Sequence, residues 1–141
     1  MMPHSVLKMR LAFAIASCLT ADMEVQSECS LRLDETTLVD PDIAITPRLI
    51  IERRYMRPDE IFLAIEVSDT SLDYDVKTKA RLYARAGLAE YWVVDINNAQ
   101  TWVHRDPSTE GYASIVKMPF DQALRTLVDG EVEVRISDLL R

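Results

Sequence analysis

The sequence predicts an α/β (α+β) fold in which helices flank a mixed β-sheet. Two helical patterns, one at the N-terminus and one in the middle of the chain, are separated by strand-like runs. The chain has 141 residues, 48% of them hydrophobic and 28% charged, with only 3 Gly and 6 Pro. This composition excludes a disordered or low-complexity protein and fits one domain over residues 1–141.

A helix is predicted first, because Leu7, Leu11 and Ile15 recur at helical spacing. The competing interpretation is a secretory signal, since a basic start precedes a short apolar run and Cys18 could end a lipoprotein cleavage box. The run is too short to span a bilayer. We favour the core helix, and we expect a cytoplasmic protein with no membrane segment.

Two strands are predicted next, on either side of an acidic turn. Apolar and polar residues alternate from Val25 to Leu33, the pattern of a half-buried strand. The run 38–46 predicts a second strand, in which Asp42 lies on the face opposite to the large aliphatic side chains.

The middle of the chain predicts a central strand followed by a helix. The apolar run 61–68 is typical of a strand covered on both faces, and Glu66 is its only acidic residue. A polar loop then leads into a helix from about Asp75 to Ala86, with Gly87 as its C-cap.

The C-terminal part predicts further strands. A third long strand over 90–96 is joined by an Asn-Asn turn to a hairpin partner over 100–105. Edge strands are predicted over 112–117 and 131–136, with a short terminal turn from Ser137.

Neither the cysteines nor the histidines form a metal-binding motif. Cys18 and Cys29 have no CxxC spacing, so both are interpreted as small buried hydrophobic residues. His4 and His104 stand alone in polar surroundings, and no metal role is expected for either.

Three polar residues, by contrast, predict a metal-dependent site that cuts phosphodiester bonds. Glu66 needs a partner, because a carboxylate in a buried strand is costly unless it is paired or binds a cation. Asp42 can supply a second carboxylate if the two strands are neighbours, which suits Mg²⁺ (or Mn²⁺). Lys79, at the edge of the apolar face of the predicted helix, can then orient the attacking water and offset transition-state charge.

Each of these residues also has an ordinary structural interpretation. Asp42 could cap a turn, Glu66 could pair with a structural arginine, and Lys79 could form an i,i+4 pair with Asp75. The net charge of -7 opposes a sequence-wide electrostatic attraction to DNA, although carboxylates that hold a metal contribute to that charge.

A local basic cluster weakens the argument that the net negative charge opposes DNA binding. Arg48, Arg53, Arg54 and Arg57 lie close together in the sequence and predict contacts to DNA phosphates. The alternative is a solvated basic loop.

A resemblance to a known family rests on three strings of residues 32–105: PDIAI, IFLAIEVSDTSLDYDVKTKARLYARAG and LAEYWVVD. They resemble segments of the Uma family of restriction-endonuclease-like proteins, a branch of the PD-(D/E)XK nuclease superfamily. The resemblance implies a DNA endonuclease that uses metal-activated water. It implies Asp42 and Glu66 as metal ligands, the main-chain carbonyl of Val67 as a further ligand, and Lys79 as a lysine displaced onto the helix. Ser68 stands where a lysine two residues after the glutamate would lie, and a substrate contact is expected for it.

The sequence departs from the family in two places. Members usually begin with a YELIDGE-like hairpin, which this chain is expected to lack, and the loop after the central strand carries Asp69 and Val76 at positions where the family pattern differs. The alternative function is therefore a catalytically inactive, truncated nuclease fold that acts as a binding or interaction module. Apolar surface left by the absent hairpin would favour a homodimer.

Overall fold

A six-stranded mixed sheet forms the centre of the computed structural model, which describes residues 2–48, 55–128 and 132–141. The strands are β1 (Met23–Ser27), β2 (Leu31–Arg32), β3 (Leu38–Val39), β4 (Ile43–Pro47), β5 (Leu63–Ser68), β6 (Glu90–Asp95), β7 (Gln100–Ser108), β8 (Gly111–Pro119), β9 (Leu124–Arg125) and β10 (Glu133–Val134). The helices are α1 (His4–Ala16), α2 (Leu72–Tyr74), α3 (Ala80–Arg85) and α4 (Ile136–Leu139), with a π turn (Asp75–Lys79) between α2 and α3 and a 3₁₀ turn at Pro58–Glu60.

The strand order of the main sheet is β1-β4-β5-β6-β7-β8. β5 and β6 run parallel, and the other neighbouring pairs are antiparallel. A parallel pair needs a crossover connection, which the helical segment from α2 to α3 supplies. The predicted mixed sheet with flanking helices is confirmed, and β5 is the central strand that its apolar sequence predicts.

The sheet is covered on both faces. On one face pack Leu7, Leu11 and Ile15, the predicted apolar stripe of α1, all at most 1% exposed. On the other face pack Ala80 and Tyr83 of α3. α1 therefore lies on the sheet as the predicted core helix. Within the described ranges, no helix has both the length and the apolar character that a bilayer crossing requires.

Several predicted strands are shorter than the alternation of residues indicates. The run from Val25 to Leu33 is two strands, because Glu28 adopts a left-handed conformation (φ 56°) that ends β1. β2 then pairs with β3 in a separate two-stranded sheet, so the predicted strand 38–46 is also divided, into β3 and β4. Near the C-terminus, β10 pairs with β9 rather than extending the main sheet. Residue 131 of that predicted strand lies outside the described residues.

The prediction that both cysteines are buried is half right. Cys29 is buried, and that burial, together with the nearby charge of Asp40, raises the pKa of its thiol to about 11. Cys18 is exposed, because it lies just beyond the last turn of α1, where its Sγ contacts the carbonyl of Ala14 at 3.4 Å.

The crossover helix ends where the sequence predicts. Gly87 has φ +81°, its N–H donates to the Ala84 carbonyl (3.0 Å), and the Leu88 N–H donates to the Tyr83 carbonyl (3.1 Å). These two bonds form a Schellman motif, which glycine favours because it has no Cβ to clash in this conformation. The start differs from the prediction, since the helical segment begins at Leu72 rather than at about Asp75.

Candidate active site

The neighbouring strands β4 and β5 bring Asp42 and Glu66 together. Ile43 pairs with Ile65, and continuing this antiparallel register by one residue places Asp42 opposite Glu66, on the same face of the sheet. Asp42 Oδ2 accepts a hydrogen bond of 2.8 Å from the N–H of Val67. Asp42 therefore bridges two strands instead of capping a local turn.

Lys79 reaches the same point from the helix. Its Nζ donates to Glu66 Oε1 at 2.9 Å, and the two side chains are only 15% and 7% exposed. Among the described residues, neither alternative pairing is observed: the cation beside Glu66 is Lys79 rather than an arginine, and the Asp75 carboxylate is bonded to Ser68 and Ser71. The structure thus brings together the three residues that the sequence predicts.

The π turn positions Lys79. Here the Ala80 N–H donates to the Asp75 carbonyl, five residues back, so the turn contains one residue more than an α-helical turn. One extra residue rotates the following side chains by about 100° relative to a regular helix. The buried Tyr91 hydroxyl also donates to the Asp75 carbonyl (3.0 Å), and the Asp75 carboxylate accepts hydrogen bonds from Ser71 (2.7 Å) and Ser68. The turn is therefore fixed from both the strand side and the loop side.

Ser68 has a structural contact in this arrangement. Its side chain is fully buried, and its hydroxyl donates to Asp75. A contact between Ser68 and substrate remains a prediction.

Burial controls the protonation of the site. It raises the pKa of Glu66 to about 8, against the opposing attraction of Lys79 and with the help of the neighbouring charge of Asp42. For Lys79, burial alone would lower the pKa, but the attraction and hydrogen bond of Glu66 outweigh it and hold the pKa above the ordinary value. The ammonium group therefore stays charged, whereas the Glu66 carboxyl is mostly protonated at neutral pH unless a further cation arrives.

The beginning of α1 contributes two residues that the sequence analysis did not assign to the site. His4 Nε2 lies 2.5 Å from the carbonyl oxygen of Val67 and 3.5 Å from Asp42 Oδ2. Lys8 Nζ lies 3.8 Å from Asp42 Oδ1 and donates to Glu28 Oε1 at 2.7 Å. His4 and Lys8 are four residues apart in the sequence, a spacing that places both on one side of a helix. This spacing was the one sequence feature that could have assigned them to the site.

The oxygen donors of the site fit a hard divalent cation. Asp42, Glu66 and the Val67 carbonyl supply carboxylate and carbonyl oxygens, and Mg²⁺ is commonly held by one or two carboxylates together with waters and substrate phosphate. In the part of the chain that the structure describes, no group of three or more His, Cys, Asp or Glu side chains is arranged to enclose a metal. The donors therefore fit an open Mg²⁺ site, in which water and substrate complete the coordination, and not a closed structural metal site.

Arg48 and Arg57, the two members of the basic cluster that the structure describes, do not converge on these residues. Arg57 is 65% exposed, contacts Asp59 Oδ1 at 3.3 Å, and borders a surface depression beside Ala86, at the end of α3 away from Lys79. Arg48 follows the last residue of β4, whereas Asp42 precedes the first.

The remaining predicted arginines, Arg53 and Arg54, lie outside the described residues. DNA contacts by the basic cluster remain a prediction.

Two comparisons relate the chain to known proteins. The family model Uma2, described as "Putative restriction endonuclease", matches residues 2–134. A crystal structure of "a putative nuclease belonging to DUF820" from Anabaena variabilis is similar, with a TM-score of 0.74, 17% sequence identity, and coverage of 99% of this chain and 82% of that chain. At this identity the similarity shows the fold. No curated protein matches the sequence significantly.

Proposed function

This chain belongs to the Uma2 family, and from that premise we propose that it is a metal-dependent endonuclease that hydrolyses phosphodiester bonds of DNA. One observation carries the proposal: a buried glutamate, Glu66, faces Asp42 across a strand pair and is bonded to the charged Lys79. Two carboxylates and a lysine at one largely buried point are not required for stability, because replacing a buried ion pair with apolar residues of similar volume is often neutral or stabilising.

Asp42, Glu66 and the carbonyl of Val67 would hold Mg²⁺ or Mn²⁺. When bound, the ion would neutralise the two carboxylates and activate the water that attacks phosphorus. Two contacts of Val67 support this assignment: its N–H donates to Asp42 Oδ2, and its carbonyl oxygen faces His4 near the same carboxylate.

Lys79 would stabilise the transition state. Its bond to Glu66 Oε1 fixes the ammonium group, and with 15% of the side chain exposed the group is close to the surface but poorly solvated. A positive charge in such a place interacts more strongly with developing negative charge on phosphate oxygens than it would in water. The π turn is the element that keeps the group in position, because it sets the direction of the Lys79 side chain.

Cleavage of supercoiled plasmid DNA tests the proposal. With Mg²⁺ or Mn²⁺ present, the wild-type protein should nick or linearise the plasmid, and EDTA should stop the reaction. Asp42→Ala and Glu66→Ala should each abolish cleavage, whereas Asp73→Ala, which removes an 84%-exposed carboxylate, should leave it unchanged. Circular dichroism confirms that the variants fold. Cleavage that survives both active-site changes would refute the proposal.

A second candidate, an interaction module that forms a homodimer, is favoured by one observation on α1. Met9 and Phe13 are 70% and 76% exposed and lie one helical turn apart on the same side. Sedimentation analysis of the wild type and Phe13→Glu tests this candidate. A wild-type dimer that the substitution converts into a monomer supports it, and a monomeric wild type at high concentration contradicts it.

A further inference from the structure

We propose, on the basis of the nuclease function above, that Lys8 is a substrate-binding residue whose ammonium group binds a phosphate of the DNA on the Asp42 side of the active site. Its Nζ lies 3.8 Å from Asp42 Oδ1 and 2.7 Å from Glu28 Oε1, and 14% of the side chain is exposed. In the protein without DNA, the Glu28 carboxylate is the anion on Lys8, and the phosphate replaces it when DNA binds.

Lys8 lies beside Asp42 without being bonded to it. A separation of 3.8 Å is longer than a hydrogen bond, and Asp42 Oδ2 instead accepts from the Val67 N–H at 2.8 Å. Lys79 is bonded to the other carboxylate, at Glu66 Oε1. Each carboxylate thus has its own lysine. A phosphate that approaches Asp42 comes within reach of Lys8, whereas Lys79 is held at Glu66.

The charge of Lys8 is placed where DNA binding needs it. Neutralisation of phosphates supplies much of the affinity of proteins for DNA, and this chain has a net charge of -7. Arg48 and Arg57 lie away from the carboxylates, as described above. An ammonium group binds phosphate as a compact charge with three donors. The hydrogen bond that it makes among the described residues goes to Glu28.

Glu28 pairs with Lys8 in a way that a phosphate can replace. Its side chain is 70% exposed, and an ion pair with such an exposed partner adds little to stability. Its backbone, by contrast, is fixed: the residue is left-handed (φ 56°), and its N–H donates to the main-chain carbonyl of Asp42 at 3.1 Å. The carboxylate can therefore leave Lys8 while the backbone beside Asp42 stays in place.

α1 fixes the stem of Lys8. The adjacent Leu7 and the following Leu11 are at most 1% exposed and belong to the core that covers one face of the sheet. The exchange of Glu28 for a phosphate then changes the partner of the ammonium group and requires no movement of the helix.

Single-turnover cleavage of a short DNA duplex with Mn²⁺, followed over a range of protein concentrations, tests the proposal. Lys8→Met keeps the apolar stem and removes the charge. The protein concentration that gives half the limiting rate should rise about 5-fold or more at low salt, on duplexes of any sequence. The limiting rate itself should change less than about 2-fold, because the contact is made before and during the reaction. The logarithmic dependence of the half-saturating concentration on salt should become shallower by about one.

Three further variants separate the charge of Lys8 from other effects. Lys8→Arg keeps the positive charge and should give nearly the wild-type half-saturating concentration. Glu28→Gln removes the carboxylate that competes with phosphate and should lower that concentration about 2-fold or more. Lys117→Met is the matched control, since it removes an exposed lysine from β8, three strands away from β5, and should have no effect.

Calorimetry with Mn²⁺ distinguishes phosphate binding from a structural role. Lys8→Met should bind Mn²⁺ at least as tightly as the wild type, because a cation near Asp42 has been removed. Weaker binding would overturn the proposal by showing that Lys8 positions Asp42. A lower limiting rate with an unchanged half-saturating concentration would overturn it as well.

Failure of this inference is distinct from failure of the nuclease function. A wild type that cleaves DNA, together with a Lys8→Met protein of unchanged half-saturating concentration, would overturn the role of Lys8 alone. A wild type that cleaves no DNA would overturn the nuclease function and this inference with it. If circular dichroism shows that Lys8→Met does not fold, Glu28→Gln decides: an unchanged half-saturating concentration in that variant would overturn the proposal.

Discussion

Replacing Glu66 by glutamine should stabilise the metal-free protein at alkaline pH. The Glu66 side chain is 7% exposed, and burial raises its pKa from the ordinary 4.5 to about 8. In this pH interval the folded protein therefore retains a proton that the unfolded chain releases. The free energy of unfolding consequently falls as pH rises through the interval, by about 1.4 kcal/mol per pH unit.

The magnitude follows from the two pKa values. The stability that the protonated carboxyl contributes is fully present below pH 4.5 and is lost by pH 8. The loss amounts to about 5 kcal/mol as an upper figure. Glutamine is close in shape, can still accept the hydrogen bond of Lys79, and does not ionise, so Glu66→Gln should escape the loss.

Urea denaturation at pH 5, 6.5 and 8, with EDTA present and tryptophan fluorescence as the signal, measures the effect. The variant and the wild type should be similar at pH 5, and the variant should be more stable by several kcal/mol at pH 8. Glu110→Gln, which changes an exposed glutamate, should show no such pH dependence. A Glu66→Gln protein that is less stable than the wild type at pH 8 would refute the reasoning, because Glu66 would then be ionised and stabilised by Lys79.

Two further predictions concern Lys79 and the buried Glu90. Lys79→Met should lower the rate of plasmid cleavage about 100-fold or more, measured by single-turnover kinetics. Its affinity for Mn²⁺, measured by calorimetry, should change far less. Equal losses in rate and affinity would contradict a role of Lys79 in the transition state. Arg105 bonds to Glu90, whose side chain is 0% exposed, so Arg105→Ala should destabilise the fold by about 3–5 kcal/mol in urea denaturation. Arg125→Ala, at a 70%-exposed arginine, should cost less than about 1 kcal/mol, and similar losses for both changes would contradict the account.

Much of the fold could be predicted because its strongest patterns are local. The apolar run of β5 and the crossover helix that follows it place Glu66 and Lys79 near each other in any βαβ unit. Asp42 is predicted as the second carboxylate on the condition that its strand lies beside that of Glu66, and the resemblance of the PDIAI string to a family segment implies the same residue. In the structure, Lys79 Nζ lies 2.9 Å from Glu66 Oε1, and the register of β4 and β5 places Asp42 opposite Glu66; the roles of the three residues stay predictions.

What could not be predicted depends on contacts between distant parts of the chain. His4 looks isolated in the sequence, but it contacts Val67, 63 residues away. The break at Glu28 depends on one backbone conformation that a period-two pattern does not reveal. The π turn is set by bonds to Asp75 from several elements. Arg57 is close to Glu66 in the sequence but lies beside Ala86, at the end of α3 away from Lys79.

A calorimetric titration with Mn²⁺ at neutral pH tests the central claim most directly, namely that Asp42 and Glu66 share one ion. The account predicts that the wild type and Asp73→Ala each bind a single ion at the site, and that Asp42→Ala and Glu66→Ala lose this binding while remaining folded. A wild type that binds no Mn²⁺, or active-site variants that bind it as tightly as the wild type, would contradict the account.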